Sequence, residues 1–289
     1  MKPFIICHRG ALGDFLLTWP ALQCLREHLK GHHFLGIGRP EYMGLAKAFG
    51  LLDSVLDMDG AGMHRFFSGA LLPPAMGNPE GAVLWLSEGS ETARLLSKHA
   101  SLPIALIPPL PAERIHVALY HCLAVQKHFP IAFSRPLVPY HPCKAERTDL
   151  ALIHPGSGSK RKSYSPAFYL RLANELRHAG FGEIAFLMGP VERATKMDAC
   201  FPGEQIIAPA DLSDLVHVLA GSSLFIGNDS GVSHLAGIIG TPVITLYRTT
   251  DPAVWGAMGR RVIHIESADE KTAMRQIKRH LRRGIVIDQ

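Results

Sequence analysis

A chain of 289 residues is long enough for two domains of ordinary size, each burying its own core. Hydrophobic residues make up 47% and charged residues 19%, which excludes wholesale disorder, and no apolar run approaches the roughly 20 residues that span a bilayer. A formal charge of +5, with 16 histidines besides, suits an anionic partner (nucleic acid, a phosphorylated small molecule or an acidic membrane surface) and equally an ordinary mildly basic enzyme.

Short apolar runs alternate with helical stretches from the start. The segment "MKPFIICHRGALGD" holds too short an apolar run for a signal peptide, and charge interrupts it at once. In the first half the runs "PFIIC", "HFLGIG", "DSVLDM", "AVLWL" and "PIALI" read as strands, with helices beginning near Asp14, Glu41, Ser90 and Pro111. Pro20 lies too deep to be a first-position proline, so it is expected to kink the first helix or to follow a tight first segment. The stretch from Gly60 to Pro79 is poorly patterned and reads as a mobile loop exposing Phe66, Phe67 and Leu71. Prolines 130, 136, 139 and 142 favour an extended connector, so the domains are expected to span 1–140 and 141–289.

The second half repeats the alternation, with strands at "DLALIHP", "EIAFLMG", "EQIIA", "SLFIG", "PVITLY" and "RVIHI". The helix after Ser165 is well signalled by its serine cap, by Pro166 in first position and by Phe168, Leu172, Ala173 and Leu176 at helical spacing. The last helix, "DEKTAMRQIKRHLRRG", is strongly basic and reads as solvated or as packing back across the hinge. Alternating β and α elements imply two doubly wound parallel sheets, Rossmann-like, with ligands held in a cleft beyond the strand carboxyl ends. Five scattered cysteines without C-x-x-C spacing suggest reduced thiols and a cytoplasmic setting, without a zinc knuckle.

The motifs lie where strands end. "IHPGSGSKRKSYSP" leaves a strand into a loop whose glycines and cations suit a phosphate, although alone it fits a solvated basic turn slightly better. "FIGNDSGVSHLAGIIGTPVITLYRTTDPAVWG" is more specific. A strand ends at Gly227, a polar turn Asn228-Asp229-Ser230-Gly231 opens a helix, and the first amides of that helix present partial positive charge to a diphosphate. His234 lies in the same first turn, where a satisfied core histidine is the ordinary alternative. Asp229 and Ser230 read equally as helix caps. Glu192 in "MGPVER" can accept hydrogen bonds from sugar hydroxyls or sit solvated at a helix start. "GALGD" lacks the third glycine of a dinucleotide fingerprint and offers instead Asp14, a first-turn acid that can take a proton.

With "GALGDFLLTWPAL", "HPGSGSKRKSYSP" and "GNDSGVSHLAGIIGTPVITLYRTTDPAVWG" in this order, the chain resembles the glycosyltransferase family 9 heptosyltransferases nearly end to end. The resemblance implies a GT-B fold and an inverting, metal-independent transfer of heptose from an ADP-heptose donor to a lipopolysaccharide core acceptor. No cofactor is implied beyond that donor. By the resemblance, Asp14 is the general base and Lys162 contacts the donor phosphate. Glu192 contacts the nucleoside, and Asp229 to His234 match the D-[ST]-G-x-S-H run. Ser157, Gly158, Lys162, Glu192, Asp229, Ser230, Gly231 and His234 are the expected donor contacts, with Arg9 and Gly13 facing the acceptor. Tyr164 stands where the family has tryptophan, and Arg248 and Thr249 where Gly-Pro is common. A transferase or epimerase using another nucleotide sugar (UDP or GDP) on the same fold, and a non-catalytic nucleotide-binding relic, are the alternatives. A glycolipid acceptor would bring peripheral contact with the inner face of the cytoplasmic membrane, and no nucleic acid is expected. Arg65, Phe66, Phe67 and Lys98 suit such a surface as well as they suit a solvated loop.

Overall fold

Apolar runs of four to six residues bounded by glycine, proline or aspartate are too short for helices, and burying them on both faces makes them strands of parallel sheets. The computed structural model of the protein describes residues 2–68, 76–87, 89, 91, 103–131 and 148–282. The chain divides into two units, Met1–Leu137 and Val138–Gln289.

The first unit runs β1 (Pro3–His8), α1 (Leu12–His28), β2 (His33–Gly38), α2 (Pro40–Ala48), β3 (Ser54–Asp57), α3 (Met63–Phe67), β4 (Gly81–Trp85), β5 (Ile104–Ile107) and α4 (Val117–Gln126). Its strands are all parallel in the order β3-β2-β1-β4-β5. The order reverses between β1 and β4, so the ligand-binding crevice of such a sheet lies beyond the carboxyl ends of these two strands. α1 is buried all round from Phe15 to Leu22, packed against α4, which is why its apolar residues follow no single stripe. It is one helix with Pro20 inside it, so no separate first segment precedes the proline. Arg26 near its end grips Asp53 through two hydrogen bonds of 2.8 and 2.7 Å, and Asp53 also accepts from the Phe34 amide.

Two expectations for this unit are corrected. The stretch from Gly60 contains α3, whose Met63 and Phe66 enter the core beside Ile5 and Leu84, while Phe67 is half-buried. Phe66 is therefore no exposed loop residue: a single pair of apolar residues three positions apart is enough to seat one helical turn. The helix expected near Pro111 begins at Val117, because residues 111–116 offer no buried face; His116 caps it by accepting from the Ala118 amide at 3.3 Å. The helix expected near Ser90, Leu71, Lys98 and most of the proline-rich connector lie outside the described residues.

The second unit runs β6 (Leu150–His154), a 3-10 turn (Lys160–Lys162), α5 (Pro166–His178), β7 (Glu183–Leu187), α6 (Pro190–Ala194), β8 (Gln205–Ile207), α7 (Leu212–Gly221), β9 (Leu224–Asn228), α8 (Gly231–Ile238), β10 (Val243–Tyr247), α9 (Pro252–Trp255), β11 (Val262–Glu266) and α10 (Glu270–Arg282). Its parallel order is β11-β10-β9-β6-β7-β8, with the reversal between β6 and β9. Ser165 caps α5 as the sequence predicts, its hydroxyl accepting from the Phe168 amide. α10 is not a solvated helix. Ala273 and Ile277 are fully buried in this unit's own core, and Met274 and Leu281 pack against it.

Two buried histidines make the first unit acid-sensitive. His8 accepts from the Gly10 amide at 3.2 Å, and His121 accepts from the indole N–H of Trp85 at 3.1 Å. Burial lowers His8 to about 4 and His121 to about 3, and a charge on His8 would add to the penalty at His121. Both rings fold neutral while the unfolded chain protonates near the ordinary 6.5, so the unfolded state binds more protons below that pH. Stability is complete above about pH 6.5 and falls as pH drops toward the folded values. By about pH 4.5 the loss is on the order of 2 kcal/mol for each ring. Urea-unfolding midpoints at neutral and mildly acid pH should show this loss, and His121→Gln, which can still accept from Trp85, should flatten it.

Candidate functional site

Both sheets reverse their order at a pair of strands whose carboxyl ends carry the motifs. In the first unit β1 ends at His8, and the tight turn to α1 follows. Gly10 is required there: a Cβ would lie 2.8 Å from the His8 ring and 3.3 Å from Asp14 Oδ2. Ala11 stands at the cap position of α1, where it has no hydroxyl to offer, and Asp14 supplies the acceptor by taking the Ala11 amide at 3.3 Å. The carboxylate is thus held at the first turn of α1. Gly13 lies in the same turn. Arg9 is exposed, with its guanidinium 4.8 Å from the centre of the Phe67 ring.

In the second unit the pairing of β6 with β9 brings two distant motifs together. Asn228, read from sequence as part of a polar turn, is instead the last residue of β9 and is fully buried. Its amide donates to the carbonyls of Pro155 and Gly156 at 2.8 and 3.1 Å, and its oxygen accepts from the Tyr169 hydroxyl at 2.8 Å. The Tyr169 hydroxyl in turn accepts from the Tyr164 amide, and the Tyr164 hydroxyl donates to the Ser267 carbonyl. Burial pushes both phenols up to about 12, so they remain neutral donors. Tyr164, where tryptophan is the family expectation, stacks on Phe168 at 4.5 Å and uses its hydroxyl to tie the loop to the segment after β11. Arg248 adds a second tie, donating to the Ser163 carbonyl at 2.8 Å.

The loop so fixed delivers Lys162 to Asp229. The ammonium lies 2.7 Å from Asp229 Oδ2, although the two residues are 67 positions apart. Asp229 is only 5% exposed, and an isolated buried carboxylate would be costly; Lys162 and the Thr250 hydroxyl at 2.8 Å offset that cost. His234 Nε2 lies 4.0 Å from the other carboxylate oxygen. Ser230 caps α8 by accepting from the Ser233 amide, leaving Gly231 as the first helical residue beside the Lys162–Asp229 pair. An ammonium and a helix N-terminus lie together at the carboxyl ends of the two central strands, a combination whose charge suits a phosphorylated ligand.

Glu192 is buried, which removes the reading of a solvated helix-start acid. Its Oε2 accepts from the Gly189 amide at 2.9 Å, and a Cβ on Gly156 would lie 2.0 Å from Oε1. Only glycine at 156 lets the loop and the carboxylate share this space. Beneath it, His154 donates from Nδ1 to the Leu187 carbonyl at 3.0 Å, and burial lowers its pKa against the opposing pull of the Glu192 charge. Ser157 turns its hydroxyl inward to the Ser159 carbonyl at 2.6 Å, whereas Gly158 is exposed with open space around it.

Lys162, Asp229, Ser230, Gly231 and His234 therefore form one cluster, and Glu192 meets the same loop at Gly156. Sequence reasoning missed Asn228, Tyr169, Thr250 and His154. For His154 and Asn228 the available signal was a polar residue at the carboxyl end of a central apolar strand, where burial obliges it to hydrogen-bond.

The family model for glycosyltransferase family 9 (heptosyltransferase) matches residues 123–283. Lipopolysaccharide heptosyltransferase 1 of Pseudomonas aeruginosa is 27% identical over 121 residues, covering 41% of this chain; the match spans about a third of that relative, 34% of its length. Among solved structures, Escherichia coli ADP-heptose lipopolysaccharide heptosyltransferase II matches with a TM-score of 0.76 at 14% identity, over 98% of this chain and 99% of that one. Escherichia coli heptosyltransferase WaaC with ADP matches with a TM-score of 0.73 at 18% identity, over the same shares of the two chains. At these identities the structural likeness establishes the fold, GT-B, built from the two parallel-sheet units described. The chain belongs to glycosyltransferase family 9, the heptosyltransferase family.

Proposed function

We propose that the protein transfers a heptose from an ADP-activated donor to a hydroxyl of a lipopolysaccharide core or related glycan acceptor, inverting the anomeric carbon without a metal. The observation that carries this reading is the Lys162–Asp229 pair beside the N-terminus of α8, a positive edge in the half of the chain that the family model matches. The Escherichia coli heptosyltransferase WaaC is solved with ADP, which supports the nucleotide.

In this reading Asp14 takes the proton of the acceptor hydroxyl as its oxygen attacks the anomeric carbon. The bond from that carbon to the donor phosphate breaks, and ADP leaves with the electron pair. Lys162 and the first amides of α8 meet the charge that grows on the diphosphate, an electrostatic task that is often the largest part of catalysis. As Lys162 turns to the phosphate, Asp229 gains freedom to accept from donor-sugar hydroxyls, with Thr250 and His234 keeping it in place. Glu192 accepts from the hydroxyls of the nucleoside, Ser157 and Gly158 line the phosphate loop, and Arg9 and Gly13 meet the acceptor. Among the described residues no helix is long and apolar enough to cross a membrane. In this reading a glycolipid acceptor is met by peripheral contact with the membrane.

Four measurements test this. Asp14→Asn should lower kcat for transfer from ADP-heptose by about 10²–10⁴-fold while leaving the Tm rise on adding ADP unchanged; near-full turnover would remove Asp14 from the base role. Lys162→Ala should reduce both that Tm rise and kcat. Among ADP, UDP and GDP, ADP should raise Tm most, and a larger rise with UDP or GDP would overturn the donor assignment. Wild-type turnover should persist in a chelator.

A further inference from the structure

The second unit carries a strongly basic groove that the transfer chemistry above does not use. Its apolar anchors, Ala273, Met274, Ile277 and Leu281, seat α10 against the core. Lys271, Arg275, Lys278, Arg279 and Arg282 follow at three- and four-residue steps, which places them along one side of the helix. Arg171 from α5 and Arg248 after β10 join them around a groove of about 1100 Å³.

The acids of this region are already engaged. Glu270 accepts from the Ser165 amide and pairs with Arg171, Asp269 accepts from the Thr272 amide, and Lys278 pairs with Glu175 at 2.7 Å. Among the described residues no carboxylate forms an ion pair with Lys271, Arg275, Arg279 or Arg282, all four of which are exposed. Four like charges on one helix face repel one another, so the arrangement favours a partner that supplies closely spaced negative charge. Three of the four are arginines, whose planar forks suit phosphate oxygens.

We propose that this face of α10 docks the protein on the phosphate headgroups of an anionic phospholipid bilayer. The apolar side of α10 is committed to the core, so docking is electrostatic, at headgroup depth, and reversible. A membrane matches the straight spacing of the cations along a helix of 13 residues, and their charge is complementary to its surface. Docking of this kind deepens the reading of a glycolipid acceptor, on which it rests, because it holds the enzyme beside such an acceptor. Each lysine or arginine near an anionic bilayer strengthens binding roughly fivefold, and the effect fades as salt rises.

The test is co-sedimentation of the full chain with vesicles of phosphatidylcholine, with or without a one-third share of phosphatidylglycerol. It needs neither donor nor acceptor sugar, so it reads docking independently of transfer. Binding is expected only with phosphatidylglycerol and is expected to be lost at high salt. Replacing Lys271, Arg275, Arg279 and Arg282 by Gln should weaken it by roughly several hundred-fold, and the pair Arg275→Gln and Arg279→Gln by roughly 25-fold, with Tm unchanged in the pair. Replacing Lys30, Lys47, Lys127 and Lys196 by Gln, four cations elsewhere on the surface, makes the same change in net charge and should preserve most of the binding. Equal binding to pure phosphatidylcholine, retention by the α10 variants, or an equal loss in the scattered variant would overturn the proposal. So would tighter binding to duplex DNA than to the anionic vesicles at the same salt.

Discussion

The side-chain amide of Asn228 is the constraint on which the second unit's site depends. It ends the central strand β9 with no exposure to water, so each polar atom it carries must find a partner within the protein. Its nitrogen holds the Pro155 and Gly156 carbonyls, and its oxygen holds Tyr169. A buried polar group left unpaired costs about 1–3 kcal/mol, and losing this one amide would orphan partners on two other segments. The loop after β6 is therefore pinned at its start by Asn228, at Tyr164 by Tyr169 and Ser267, and at Ser163 by Arg248.

That pinning sets the electrostatics. Lys162 rises from a 3-10 turn capped by Ser159, and its position opposite Asp229 follows from where the loop is tied. The pair offsets the cost of burying the Asp229 carboxylate and holds an ammonium beside the N-terminus of α8. Pre-organisation of this sort avoids reorganisation when charge develops in a reaction. The two departures from the family pattern belong to the same structure: Tyr164 replaces aromatic bulk with bulk plus a hydroxyl tie, and Arg248 clamps the loop from the β10 side.

The first unit solves a related problem with fewer parts. His8 ends β1 and receives the Gly10 amide, so a neutral ring shapes the turn that presents Asp14. The same burial that keeps His8 and His121 neutral makes the unit depend on pH. α10 shows a different division of labour, with one side contributing Ile277 and Ala273 to the core and the other gathering uncompensated cations.

Periodicity and composition made the alternating β and α elements legible, and each of the strand runs read from the sequence coincides with a strand to within a residue or two. The same holds for the cap at Ser165. Local pattern was a poor guide where burial depends on neighbours. Phe66 lay in an unpatterned stretch and is buried, residues 111–116 resembled a helix start and contain no fully buried residue, and Glu192 looked like a solvated acid until Gly156 closed over it. Above all, a sequence read in order contains no statement that β6 lies beside β9. That adjacency arises because the crossovers wind outward from the middle of the sheet, and it alone brings Asn228 to Pro155 and Lys162 to Asp229. The sequence determined which residues could do the chemistry; the strand order, set by how the two faces of the sheet are covered, decided which of them meet.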